Sequence, residues 1–353
     1  MKPLTFYFFA DRMAIRFHIG KRLLAIGWEK VISEDLATFG DRHLTLNDNT
    51  SQHIEFKHLL AQLMQKAAPE LIPITYSLDD ENFVTVFAKI IFEHYLPKGQ
   101  YVSTIKDIKW ILKPSTLNNG EGIQLFNNVD ELKAYYYQPK RLGGPHVVQQ
   151  YITHPHLING RKYTFRLPVI FTNFAGIFSY KQGYVNIAAE TFSLENDLKN
   201  RRAHITNYVL DGEFSPIEQR STTLLPGFDK TYAQMNHIIE KVIKGLLKVD
   251  PNYLKPPRSK QVKKFEIFGF DFTMDETGKV FLLEINQGPD APTFEENHLN
   301  KVLWDPFWSD VIDDFVLPIA LDTEPKNNYG SFTQVLKPGQ SYSFLRSIVG
   351  KFR

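Results

Sequence analysis

Residues 265–286 read FEIFGFDFTMDETGKVFLLEIN, two apolar runs separated by a turn-like Asp275, Glu276, Thr277 and Gly278. Each run predicts a strand, and the two strands carry Asp271 and Glu284 to the same end, where Asn286 follows. An acid among apolar neighbours is costly unless a metal or a strong donor offsets its charge. Asp, Glu and Asn together present only hard oxygens, which suit Mg²⁺ carrying a nucleotide triphosphate far better than zinc or iron. A surface hairpin with ordinary acids is the competing reading of the same residues.

A triphosphate also needs positive charge and a close backbone approach. Lys113 stands at the end of a predicted strand in WILKPSTLNNGEGIQLF, residues 110–126, ahead of a loop in which Gly120 and Gly122 permit that approach. No Gly-Lys-Ser/Thr ending follows, so this is not a Walker A loop. Residues 147–152, VVQQYI, predict a strand whose exposed backbone groups could read an adenine edge. Lys162 and Arg166 lie four apart and point to one side of an extended segment. For His156 and His204 a hydrogen-bonded structural role is the simpler reading, since phosphate activation requires no imidazole.

Composition narrows the class. With 353 residues and 28 Phe, the chain exceeds a single core and predicts two or three lobes. Its 41 Lys plus Arg against 39 Asp plus Glu give no concentrated positive excess, so nucleic acid is unsupported as a partner. The absence of cysteine removes thiolate nucleophiles, disulfides and zinc-thiolate sites, and it suits a cytoplasmic setting without excluding secretion. Asp11 and Arg12 interrupt the short apolar start, and no run approaches a membrane span, so membrane insertion is not expected.

Apolar spacing predicts a strand over residues 4–9, a helix over 15–26, one helix over 54–66, a short helix over 129–137, a long helix over 228–246 and a closing helix over 307–321. Strands are expected at 146–152, 165–171 and 177–180. The paired prolines and five basic residues of KPPRSKQVKK, 255–264, predict an exposed connector, with docking to an acidic partner as its functional alternative.

Several blocks together resemble the tubulin-tyrosine ligase and tubulin polyglutamylase family of the ATP-grasp superfamily. They are WILKPSTLNNGEGIQLF at 110–126, VVQQYITHPHLINGRKYTFRL at 147–167, HITN at 204–207 and FGFDFTMDETGKVFLLEINQGPDAP at 268–292, with LLAIGWEKV at 23–31 similar as well. The resemblance implies an α/β ATP-grasp fold with a small N-terminal α/β lobe at 1–100, a central lobe at 101–155 and a C-terminal catalytic lobe at 156–353. It also implies ATP and Mg²⁺ as cofactors, and a ligase that joins an amino acid or amine to a peptide or protein carboxylate through an acyl phosphate.

Carried onto this sequence, Lys113 would touch phosphates while Gly120, Glu121 and Gly122 cover them. Gln149, Gln150, Tyr151 and Ile152 would form the adenine hinge, and Asn207 would lie near nucleotide or metal. Asp271, Glu284 and Asn286 would hold the metal, with Lys162 and Arg166 at the reaction centre. An acidic peptide, tubulin among the candidates, would meet positive charge from Arg161, Lys162, Arg166, Arg201 and Arg202.

Three departures bear on the substrate. Gln150 replaces the family's hinge Lys, and Thr164 stands where an Asp would fix the amino group of a free amino acid. Asn186 stands where an Arg would grip a carboxylate, a charge-assisted contact that a neutral amide cannot replace. A kinase acting on a hydroxyl and a catalytically impaired binding protein are the two alternatives that these changes leave open.

Overall fold

Strand Arg161–Thr172 is the axis on which the other site-bearing strands align, and its alternation explains why. Tyr163, Phe165, Leu167, Val169 and Phe171 enter one apolar core, whereas Lys162, Thr164 and Arg166 point to the opposite face. All its neighbours are antiparallel: Phe265–Met274 on one side, Tyr184–Ile187 and Ile177–Tyr180 on the other, and the short strand Leu157–Ile158 at its start. The computed structural model describes residues 3–10, 12–95, 108–118, 120–194, 198–207, 209–210, 213–257, 262–294 and 296–338. Within them the architecture is mixed α/β.

Phe265–Met274 pairs in turn with Val280–Gln287, setting Asp271 opposite Glu284 and Gly269 opposite Asn286. Register shifts between Asp271 and Phe272, so Leu283 is an extra residue in the partner strand, a β-bulge. Val280 and Leu282 are buried before the bulge, and Ile285 is buried after it. That change of parity turns Glu284 out of the core and onto Asp271's face.

Under this sheet lies the amphipathic helix Phe228–Val249, the expected long helix. Helix Lys57–Ala67 packs on it so closely that a Cβ at Gly245 would come within 2.6 Å of Leu63 Cδ2. The single helix expected over 54–66 is two, Asp48–Glu55 and Lys57–Ala67, because Phe56 takes an extended conformation (φ −80°, ψ 121°) between them. The break frees the Lys57 backbone N–H to donate to Ser115 O at 3.4 Å. A second core on the other side of the sheet receives helix Ala14–Ala25 and a helical run from Asn300 to Ala320 with two π turns. That run begins before the expected 307 and does not close the chain, since strand Phe332–Leu336 follows and pairs with Ile177–Tyr180.

A four-stranded antiparallel sheet holds the other half of the candidate site, in the order Thr75–Leu78, His146–Gln150, Trp110–Pro114 and Gln124–Phe126. Helices Phe83–His94 and Val129–Tyr136 cover it through Phe87, Ile90, Leu132 and Tyr136. Pairing of Thr75–Leu78 with His146–Gln150 crosses position 100, and the expected 100/101 lobe boundary lies outside the described residues. A small parallel sheet of Glu29–Lys30, Thr5–Tyr7 and Phe39–Gly40 stands at the N-terminal end.

Residues 258–261 of the basic connector also lie outside the described residues; beside them, Lys263 pairs with Asp322 at 2.8 Å. Among the described residues no helix is long and apolar enough to cross a membrane.

Candidate active site

The two sheets face each other across a cleft, and most residues singled out in the sequence line it. Lys113, Gln149, Gln150, Tyr151, Ile152, Lys162, Arg166, Asn207, Asp271 and Glu284 share one cavity. Gly120 and Glu121 line an adjoining pocket with Lys113, Asn207 and Glu284, while Asn286 lines a larger recess on the other side. Gly122 adopts φ +68°, and a Cβ there would meet Pro114 Cγ at 2.7 Å, so the loop needs glycine at that point.

Asp271, Glu284 and Asn286 converge as their register requires. Asn286 Nδ2 donates to Asp271 Oδ2 at 3.1 Å and approaches Glu284 Oε1 at 3.5 Å. Among the described residues no three His, Cys, Asp or Glu side chains gather to hold a metal. Two carboxylates and an amide do gather here, an oxygen-only donor set that fits Mg²⁺ with its remaining positions left to phosphate oxygens and water.

Arg166 Nε and Nη2 donate to the two oxygens of Asp271 at 2.7 and 2.6 Å, and Nη1 donates to Asp290 Oδ2 at 3.1 Å. Burial opposes the guanidinium charge, but Asp271 outweighs it and raises the Arg166 pKa. Burial likewise raises Asp271, against the pull of Arg166. Glu284 goes the other way: burial is overcome by Lys57, Lys113 and Arg166, which hold its carboxyl below the usual range.

Lys113 donates to Gln149 Oε1 at 2.9 Å, and Gln149 Nε2 in turn donates to Thr75 Oγ1 at 2.9 Å. Burial lowers Lys113 to about 8 and Lys162 to about 7, the latter helped by Lys113. Lys162 Nζ donates to Tyr151 Oη at 3.0 Å and lies 4.1 Å from that ring's centroid. Tyr151 Oη also meets His204 Nδ1 at 2.9 Å, and burial lowers His204 to about 4. His156 pairs with Tyr163 Oη at 3.0 Å. Both histidines therefore have hydrogen-bonded partners.

Two of the three substituted positions have neutral partners. Thr164 Oγ1 meets Thr206 Oγ1 at 2.8 Å, and Asn186 Oδ1 accepts from Gln219 Nε2 at 2.9 Å.

Convergence of all five expected basic residues does not occur. Lys162 and Arg166 line the cleft, but strand alternation turns Arg161 away to pair with Glu218, and Arg202 pairs with Glu190 at 3.3 Å. Arg201 Nη2 donates to Gly120 O at 3.1 Å and so touches the glycine loop. The adjoining recess of about 750 Å³ is lined by Asp48, Glu55, Glu266, Glu284 and Asp290 against only Arg16 and Arg166, both already paired with carboxylates. Among the described residues this wall supplies no spare positive charge for an acidic peptide.

One cleft residue was not legible in the motifs. Lys57 Nζ donates to Leu117 O at 2.9 Å and stands 3.3 Å from Glu284 Oε2. It comes from a helix start far away in sequence, and the apolar stripe of that helix says nothing about it.

Residues 47–325 match the Tubulin-tyrosine ligase family, well over half of the chain. The chain is 28% identical over 262 residues to the Probable tubulin polyglutamylase TTLL2 of Homo sapiens, covering 71% of this chain and 41% of that protein. It is 26% identical over 228 residues to Tubulin glycylase 3C of Tetrahymena thermophila, covering 59% and 21%. With Tubulin monoglutamylase TTLL4 of Mus musculus the identity is 29% over 210 residues, covering 51% and 16%. These relatives are longer proteins, of which the chain spans less than half. With its strand pair carrying Asp271, Glu284 and Asn286 inside the matched region, the chain belongs to the tubulin-tyrosine ligase family.

Proposed function

We propose that this chain is a Mg-ATP-dependent carboxylate-amine ligase of ATP-grasp type that modifies a peptide or protein. The observation that carries the reading is the convergence of Asp271, Glu284 and Asn286 with Lys113 and Lys162 on one cleft. Magnesium would be held by Asp271 and Glu284 with the Asn286 amide oxygen, and when bound it offsets charge on the phosphoryl oxygens.

In the proposed reaction an oxygen of the acceptor carboxylate bonds to the γ-phosphorus as the bond to ADP breaks. The amine nitrogen then bonds to the acyl carbon, phosphate leaves with the carbon-oxygen bond electrons, and the nitrogen loses a proton. Lys113 and Lys162 bind phosphate oxygens and orient the transfer, while the Gly120–Gly122 loop excludes water. Arg166 remains on Asp271 and exchanges its contact to the exposed Asp290 for the substrate carboxylate. Ile111, Ile123, Ile152 and Leu283 supply apolar walls for the base. The relatives named as tubulin-modifying enzymes support a protein acceptor, with tubulin as the first to try.

A second reading, a nucleotide-binding protein without ligation, draws on the neutral pairs Thr164–Thr206 and Asn186–Gln219. Product analysis separates the readings. A panel of carboxylate acceptors and amino acids, assayed with Mg-ATP, should yield ADP, phosphate and an amide that mass analysis locates on the acceptor. Glu284→Gln should abolish that product while near-UV circular dichroism stays unchanged. A phosphorylated hydroxyl with no amine requirement would replace the ligase by a kinase, and nucleotide binding without any product would favour the second reading.

A further inference from the structure

Lys57 joins two parts of the cleft that no motif connects. Its ammonium contacts Leu117 O in the loop that follows Lys113 and Glu284 Oε2 on the bulged strand, and its side chain is 9% exposed. The first turn of its helix is docked on the start of the same loop: Lys57 N–H donates to Ser115 O, and His58 N–H donates to Ser115 Oγ at 3.2 Å. Close packing of Leu63 on Gly245 fixes that helix against Phe228–Val249. Lys113, the expected phosphate lysine, instead donates to Gln149. The ammonium in contact with Glu284 is therefore that of Lys57.

The cavity beside the hinge measures about 100 Å³, and that beneath the glycine loop about 20 Å³. Sites for ligands of this size begin at roughly 300 Å³. Neither of these two cavities alone holds a nucleotide, and any displacement of Leu117 on loading separates its carbonyl from Lys57. A dication arriving at Glu284 also competes for the oxygen that Lys57 neutralises, and repels its ammonium.

We infer that Lys57 is a stand-in cation: without nucleotide it neutralises Glu284 and ties the phosphate loop down, and on loading its ammonium passes from Glu284 to the triphosphate. The inference rests on the nucleotide site proposed above. Lys57 is on this view a positioning residue toward Glu284 and the loop, and a phosphate ligand once a triphosphate is bound. Its removal has effects of opposite sign. A metal ion alone gains a free carboxylate, whereas the nucleotide loses a positive contact.

Calorimetric titration of the full chain tests this with Mn²⁺ alone and with a non-hydrolysable ATP analogue plus Mg²⁺. Lys57→Met should bind Mn²⁺ about tenfold more tightly and the Mg-nucleotide about tenfold more weakly, the size of one charge-assisted contact. Lys57→Arg should stay near the parent on both, and Lys57→Gln should follow Met, so a folding defect in one variant does not decide the outcome. A Met and Gln pair that binds Mn²⁺ no more tightly than the parent, or the nucleotide equally well, overturns the stand-in role. The parent's own titration reports separately on the underlying site: if it fails to bind the Mg-nucleotide, the proposed function falls and this inference falls with it.

Discussion

Arg166 grips Asp271 with two parallel hydrogen bonds, while Glu284 on the next strand has Lys57 as its nearest ion-pair partner. The two carboxylates are neighbours in register but are neutralised from opposite directions, one by its own sheet and one by a distant helix. A cation entering between them meets a site with its charges already balanced.

Removing the guanidinium leaves Asp271 without its main partner in a buried position. Arg166→Met should cost about 3 kcal/mol of stability, because stranding one member of a buried pair exposes the full desolvation penalty. Urea denaturation measures it, and the double variant Arg166→Met with Asp271→Asn should recover most of the loss. Equal stability of both variants would show that the pair is not a structural clamp.

Lys162 provides a pH signature. Its folded pKa of about 7 lies below the ordinary lysine value, so between about pH 7 and 10 the unfolded chain binds a proton that the native state does not. Stability from this group therefore rises with pH across that window, and the burial penalty is fully present below it. Tyr151, Lys113 and His204 surround the amine and stay in place in a Lys162→Met variant. Lys162→Met should be more stable than the parent by up to a few kcal/mol at pH 6, with the gain shrinking toward pH 10. Urea melts at pH 6, 8 and 10 would contradict this if the difference between the two proteins stayed constant.

His204, held at about 4 by burial and by Lys162, adds a lower window. The unfolded histidine titrates near pH 6.5, so stability should climb between about pH 4 and 6.5 and the His204→Asn variant should lack that part of the rise. The same denaturation series, extended to pH 4, checks it.

Gly122→Ala should lose about 1 to 2 kcal/mol, because alanine at φ +68° is disfavoured and its methyl meets Pro114. Thermal unfolding should show this, together with weaker Mg-nucleotide binding. Gly227→Ala has a similar φ of +72° but no neighbour within 4 Å, and should cost less while leaving nucleotide affinity alone.

Much of this site was legible because strand alternation is a strong code. The spacing of Lys162, Thr164 and Arg166 and the placing of Asp271, Glu284 and Asn286 near one strand end led to residues that the structure brings to one cleft. Helix Phe83–His94 was missed although Phe83, Val86, Phe87 and Ile90 recur at helical spacing, because the exposed Val84 and Phe92 add apolar residues on the opposite face and blur that period. The split at Phe56 depends on a tertiary contact between Lys57 and Ser115 that no local pattern encodes. The five basic residues failed to gather because two of them found partners off the cleft, in Glu218 and Glu190.

The surplus Leu283 in the strand pair has a final implication. Because it stands between the buried Leu282 and the outward Glu284, and itself borders the hinge cavity, one inserted position ties the base pocket to the carboxylates. Changing the number of residues between Val280 and Asn286 would exchange what the cleft and the core receive, with Ile285 driven outward and Glu284 driven inward. Tolerance in this strand is therefore set by its length more than by the chemistry of any single side chain.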